Sequence, residues 1–324
     1  MKAAVSTEKG VEIQDVPKPT PKPHQVLVRV RACGINRADL HMAAGQRHGP
    51  SGGIGAVLGM EWSGEVEAVG SDVKNVKPGD RVMCGGGGGW AEYALCDYGR
   101  TLPIPTASMS FEQAAALPVG LNTLHDALVT NGGLKAGMSV LIQGASSAVG
   151  LMGMQIAKFL GAKPVIGTST NAERRARLKD FGADLALDSR DPNWDAEALK
   201  ATGDKGVDVT VDMVSGPTIN QTLRAAAVKG RIVAIGRLGG NFAEFDFDTH
   251  SGKRIQYIGA SFRTRSIEEI REINRRMQAD LWGAVQAGKL TVPLDNETFP
   301  LARIADAIAR CNANQQFGKV IVTV

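Results

Sequence analysis

An α/β fold in two parts is predicted: a β-rich domain interrupted by a doubly wound, parallel-sheet domain. Three observations predict it. Up to about Leu121 the chain reads as short β-type segments separated by Pro, Gly and Asp clusters. Beyond Leu121, apolar β runs alternate with helical patterns, the order that buries a parallel sheet between two layers of helices. Within this second half, the stretch QGASSAVG (Gln143–Gly150) joins the apolar SVLI to the helical LMGMQIAKFL. That is the context of a turn whose helix N-terminus cradles a pyrophosphate.

In the first part VEIQDV, QVLVRVRACGI, WSGEVEAVG and AEYALC have the composition of strands, with PKPTPKP and KPGD among the breaks. Five consecutive glycines, Gly85–Gly89, stand between RVMC and WAEYAL; they fit a flexible hairpin loop, and a binding loop is the alternative. In the second part SVLIQG, PVIGTS, ADLALD, GVDVTVDMV, RIVAIG and IQYIGAS read as strands. Between them VGLMGMQIAKFLGA, NAERRARLKDFGA, NWDAEALKAT and PTINQTLRAAAVKG read as helices. Ser266–Ala287 and FPLARIADAIARCN are two further helical patterns, and GKVIVTV is a strand returning to the first part. The expected division is 1–121 and 288–324 for the β-rich domain and 122–287 for the parallel-sheet domain.

The 324 residues supply ample material for two cores, and the 39 glycines favour many tight turns. No apolar run reaches the length of a membrane span, and the start, MKAAVSTEKGVEI, lacks the apolar block of a signal peptide. A cytoplasmic protein is expected. The net charge of +4 arises from 37 basic and 33 acidic side chains mixed along the chain, too mild a balance to suggest nucleic acid. Cys33, Cys84, Cys96 and Cys311 form no C-x-x-C pair, so neither a disulfide framework nor a cysteine-rich zinc lobe is indicated.

The turn itself is poor in glycine. Laid over the usual pattern, Ala145 and Ser147 take the earlier glycine places and only Gly150 survives, where the helix must lie close to the strand. Ala and Ser are the smallest substitutes, and Ser146 and Ser147, with the start of the helix at Ala148 and Val149, offer hydroxyl and N–H donors to phosphate. At the end of the second strand, Gly167-Thr168-Ser169-Thr170-Asn171 carries no acid to read a ribose diol. Glu173 follows beside Arg174, Arg175 and Arg177. Hydroxyls and a guanidinium here suit the 2′-phosphate of NADPH. The alternative is a solvated helix face with Glu173 and Arg177 as an i,i+4 pair.

The chain resembles the quinone oxidoreductase (zeta-crystallin-like) branch of the medium-chain dehydrogenase/reductase superfamily along essentially its whole length. The likeness rests on GINRADLHMAAGQ, GMEWSGEVEAVG with KPGDRV, LPVGLNTLHDAL, GASSAVG and the terminal FGKVIV. It implies a GroES-like catalytic domain and a Rossmann NADPH-binding domain. It places Asn36 and Thr123 beside the nicotinamide. Arg174 takes the 2′-phosphate contact, helped by Thr168, Ser169, Thr170 and Ser189. The Ile235-Gly236 and Ser261-Phe262-Arg263 segments border the nicotinamide half, and Lys319 joins the cofactor contacts. Zinc-dependent relatives carry a cysteine where Asn36 stands and a histidine where Met60 stands. Asn is a poor zinc ligand and Met a soft, neutral one, so a metal-free enzyme is expected.

What remains is hydride transfer from NADPH to an acceptor that already draws electrons, such as a quinone or an activated enone. One departure is that Gln46 is followed by Arg47 and His48 where many relatives carry tyrosine. With Arg263 and Arg265, Arg47 makes a cationic cleft mouth suited to small unsaturated acids; a solvent-facing loop is the alternative for Arg47. The resemblance leaves room for an NADPH-binding crystallin-like or RNA-associated role with little catalysis. It also implies a homodimer, and the outer strand Ile255–Ser261, which has no proline to blunt its open edge, is the expected seam.

Overall fold

The computed structural model describes residues 1–324. They form two compact units: Met1–Val119 with Phe262–Gln286 and Thr291–Val324, and Gly120–Ser261 with Ala287–Leu290.

The first unit is built on a mixed sheet in the order Leu294–Pro300, Lys319–Thr323, Gln25–Gly34, Glu61–Val69, Arg81–Gly85 and Thr101–Pro103; Tyr93–Asp97 also pairs with Gln25–Gly34. The strand QVLVRVRACG is buried along most of its length, and Val26, Val28, Val30 and Cys33 pack with Trp62, Trp90 and Cys96. These apolar contacts hold the ladder together. The C-terminal strand runs antiparallel to the end of Gln25–Gly34, with Ile321 opposite Gly34. That pairing brings Lys319 to Asn36, at the start of the helix Arg37–Ala43.

Two expectations change in this unit. FPLARIADAIARCN is not one helix: Phe299 and Pro300 continue a parallel ladder with Val322 and Thr323, and only Ile304–Asn312 is α-helical. Strand pairing overrides helical periodicity there. The long helix is present as Ile267–Gln286, but it groups with the first unit and not with the parallel-sheet part. Its Arg271 holds Asp97 through two hydrogen bonds (3.0 and 2.7 Å) and stacks on Tyr98, 4.4 Å from the ring centroid.

The second unit is a six-stranded parallel sheet in the order Leu185–Leu187, Val165–Thr168, Val140–Gln143, Val207–Asp212, Ala226–Ala234 and Gln256–Gly259. The strand order reverses direction after Val140–Gln143, and a doubly wound sheet binds its ligand at such a switch point. NAERRARLKDFGA breaks into the helix Ala172–Ala176 and a 3₁₀ turn, Leu178–Phe181, closed by Gly182 at φ +96°. PTINQTLRAAAVKG yields its second half to the strand Ala226–Ala234, because Ala226 pairs with Val207. No helix is long and apolar enough to cross a membrane.

Candidate active site

In the first unit, Asn36 is the N-cap of the helix Arg37–Ala43, two residues beyond the strand Gln25–Gly34. Gly34 lies opposite Glu61. A Cβ on Gly34 would stand 2.6 Å from Glu61 Oε1 and 2.8 Å from the Ala115 carbonyl oxygen, so glycine alone lets the chain close over this acid. The Asn36 Nδ2 donates to Glu61 Oε1 (2.9 Å), and the Val119 N–H donates to Glu61 Oε2 (2.9 Å). The Lys319 ammonium donates to Asn36 Oδ1 (2.8 Å) and to Glu61 Oε1. The Lys319 and Glu61 side chains are only 2% and 0% exposed. A buried ion pair persists where further hydrogen bonds satisfy it, and Glu61 collects three donors.

Asp39 completes the cluster. It is buried, accepts the Asn36 backbone N–H at 2.8 Å, and its other oxygen has no partner. Burial pushes its carboxyl up to about 7, and the nearby Glu61 charge adds to the rise. Neither Glu61 nor Asp39 was singled out from the sequence. The available signal was an acid and a lysine, each opening a strand whose next residues are largely buried.

Lys319 requires a correction. It was expected to contact the cofactor, but its charge is buried and compensated by Glu61, which leaves it behind Asn36. Arg47 lies exposed on a short ribbon in which Arg47–His48 pairs with Ser51–Gly52. The ribbon rests on Arg263: a Cβ on Gly49 would stand 2.5 Å from the Arg263 carbonyl oxygen. Arg265 lies 5.6 Å from the Phe262 ring centroid. The structure therefore brings the Arg47 ribbon together with Arg263.

In the second unit, the turn after Val140–Gln143 leads into the helix Ala148–Phe159. Ser147 is its N-cap: the hydroxyl accepts the Gly150 N–H (3.1 Å) and donates to the Gly144 carbonyl (3.0 Å). This corrects the expectation that Ser147 Oγ is a phosphate donor, because capping already occupies it. Ser146 Oγ bonds Ser169 Oγ at 2.9 Å. Ala148 and Val149 begin the helix, where N–H groups have no carbonyl one turn back and the helix dipole favours an anion. Gly150 fits the expected role, since a Cβ there would stand 2.7 Å from three backbone atoms of Gly144 and Ala145. Gly150→Ala is expected to weaken dinucleotide binding about tenfold, because overpacking of this kind costs on the order of 1–3 kcal/mol. Fluorescence titration checks this, and unchanged affinity would show that the turn relaxes around the methyl group.

Thr168 also changes role. Its hydroxyl is buried, donating to Gln143 Oε1 (2.6 Å) and accepting the Gly144 N–H (3.2 Å), so it braces the turn and is not available to a phosphate. Thr170 is exposed, while Arg174 and Ser189 are half-buried. Arg175 and Arg190, of which sequence reasoning passed over the second, both pair with Asp188 (3.0 and 2.9 Å), and hydrogen bonding to Arg190 holds that carboxyl at about 2. Arg190 also donates to the Thr170 carbonyl at 2.6 Å. An acid thus stands beyond the third strand, held as an anion between two guanidinium groups.

Thr123 lies half-buried on the helix Pro118–His125. The Ile235 and Gly236 N–H groups both reach the Asp212 carbonyl (2.9 and 3.2 Å), and Ser215 Oγ donates to the Gly236 carbonyl at 3.0 Å. Ser215 adopts φ +54°, a conformation that a side chain tolerates only under constraint. Ser261 ends the long segment of the second unit, and Phe262 opens the next segment of the first.

Comparison with known proteins places these features in context. Residues 22–106 match the family described as alcohol dehydrogenase GroES-like domain, and residues 148–279 match that described as zinc-binding dehydrogenase. The quinone oxidoreductase of Rattus norvegicus is 32% identical over 295 residues, covering 90% of this chain and 87% of that protein. Among solved structures, a quinone oxidoreductase of Pseudomonas syringae matches with a TM-score of 0.86 at 27% identity, covering 100% of both chains. A mycobacterial protein solved in complex with NADPH matches with a TM-score of 0.87 at 28% identity, again covering 100% of both chains.

Proposed function

Because this chain belongs to the quinone oxidoreductase type of the medium-chain dehydrogenase/reductase superfamily, and is therefore an NAD(P)-dependent oxidoreductase, we propose that it uses NADPH, without a metal, to reduce quinones or activated enones. The observation that carries this reading is the make-up of the Asn36 cluster: an amide donor backed by a closed ion pair. Such a cluster favours an acceptor whose oxygen gains negative charge, and it supplies no Lewis acid. The residues do not fit the zinc that one family description suggests. Asn36 and Met60 are poor ligands, Glu61 is already saturated, and no group of three or more His, Cys, Asp or Glu side chains could hold an ion. No step is assigned to a metal.

NADPH fits the second unit, with the pyrophosphate at the start of the helix Ala148–Phe159 and the 2′-phosphate at Thr170 and Arg174. When bound, it supplies the hydride. The chain's own residues hold the phosphates, orient the acceptor through Asn36 and stabilise the charge that develops on its oxygen. Arg174→Ala is expected to weaken NADPH roughly ten- to a hundredfold while sparing NADH, since a charge-assisted contact contributes about 1.5–3 kcal/mol. Michaelis constants for the two cofactors test it; equal values in the unmodified enzyme refute the assignment.

Reduction of small unsaturated acids is the second reading, favoured by the Arg47 ribbon lying against Arg263. Rates with 1,2-naphthoquinone and with 2-chloroacrylate separate the two. Cofactor binding without turnover of either would leave a crystallin-like role.

A homodimer is part of the same proposal. The strand Gln256–Gly259 pairs on one side only, with Ala226–Ala234. Phe247 (74% exposed) and Tyr257 (42% exposed) flank Phe245, at 4.9 and 6.2 Å between ring centroids. An open edge beside aromatic surface favours pairing with a second copy. Tyr257→Asp is expected to shift the protein from dimer to monomer at micromolar concentration, as measured by sedimentation. A monomeric unmodified protein would contradict the dimer.

A further inference from the structure

The Asn36 amide is held between two groups of opposite and unambiguous hydrogen-bonding character. Lysine ammonium only donates, so the Asn36 atom 2.8 Å from Lys319 Nζ has to be the carbonyl oxygen. An ionised carboxylate only accepts, so the atom 2.9 Å from Glu61 Oε1 has to be the amide nitrogen. Flipping the amide would set donor against donor and acceptor against acceptor, with both charged partners buried. One Nδ2–H is bound to Glu61, while Asn36 itself is partly exposed. The group left to face a substrate is the second Nδ2–H.

From this we infer that Glu61 and Lys319 are positioning residues that lock the Asn36 carboxamide as a one-way donor and so fix the site's specificity for a carbonyl, quinone or enone oxygen. The inference rests on the reading above, in which Asn36 meets the acceptor. Lys319 also draws electron density from the amide oxygen, which strengthens the outward N–H as a donor. A substrate presenting a hydroxyl hydrogen finds no acceptor in this amide, whereas an oxygen that gains charge during hydride transfer finds a donor already aimed. Neither buried residue has to touch the substrate.

The double variant Glu61→Gln, Lys319→Met removes both charges together, which avoids leaving one unpaired. It is expected to lower kcat with 1,2-naphthoquinone about tenfold, with the NADPH dissociation constant unchanged, because the amide now samples both orientations. Lys319→Arg keeps a cationic donor and should retain most of the turnover. In protein labelled with ¹⁵N-asparagine, the Asn36 side-chain signal, assigned by its loss in Asn36→Ala, is expected to show one exchange-protected Nδ2 proton and one exchanging proton. This measurement needs no variant other than the one used for assignment. Two freely exchanging protons, or full turnover by the double variant while Asn36→Ala is impaired, would overturn the lock. Full turnover by Asn36→Ala would instead overturn the underlying placement of the acceptor.

Discussion

Asn36→Ala is expected to lower turnover with a quinone by roughly a hundred- to a thousandfold, the loss of about 2.7–4 kcal/mol typical of a donor that faces developing charge. The dissociation constant for NADPH should stay within a factor of about two, because the proposed phosphate contacts belong to the second unit. Stopped-flow hydride transfer and a fluorescence titration provide the two readings. The separation between them matters most. If turnover and cofactor affinity fall together, Asn36 orients the cofactor; if neither moves, the residue only caps its helix.

The second large effect concerns stability. Asp39 in the folded protein keeps its proton up to about 7, whereas the unfolded chain releases it near the ordinary aspartate value of 3.8. Between those values the folded state binds the extra proton, so this group's contribution declines as pH rises from about 4 to about 7 and is constant outside that window. Ionising so well buried a carboxyl costs on the order of 4 kcal/mol. Asp39→Asn removes the titration while retaining an oxygen for the Asn36 N–H. The stability difference between variant and parent should therefore grow in the variant's favour across that window. Urea denaturation at pH 4, 5.5 and 7 tests the sign, and a constant difference would show that Asp39 is ionised throughout.

The parallel sheet was legible because each of its strands carries a concentrated apolar run and the intervening helices alternate with them. The need for glycine at position 150 was legible because it follows from how close a helix must come to a turn. The roles of Ser147 and Thr168 were not, because a hydroxyl that caps a helix or braces a turn has the same chemistry as one that meets a phosphate. Only the neighbouring donors and acceptors decide between these uses. Ile267–Gln286 was legible as a helix but not by allegiance, since Asp97 and Tyr98, which bind Arg271, lie far away in sequence. Glu61 was hidden for a related reason: it shares its strand with Glu65 and Glu67, and which of the three is buried and paired has no meaning until its counter-charge is known.

That counter-charge arrives very late. The contact between Lys319 and Glu61 spans 258 positions. A growing chain therefore presents the acid long before the base that neutralises it has left the ribosome. Enclosing Glu61 as a lone anion would cost several kcal/mol, so the nascent first unit is biased toward keeping this region hydrated until the final strand is available. Contacts of such long range also slow folding. The same ion pair that orients a single amide thus makes closure of the first unit's core around Glu61 wait for a segment 258 positions away.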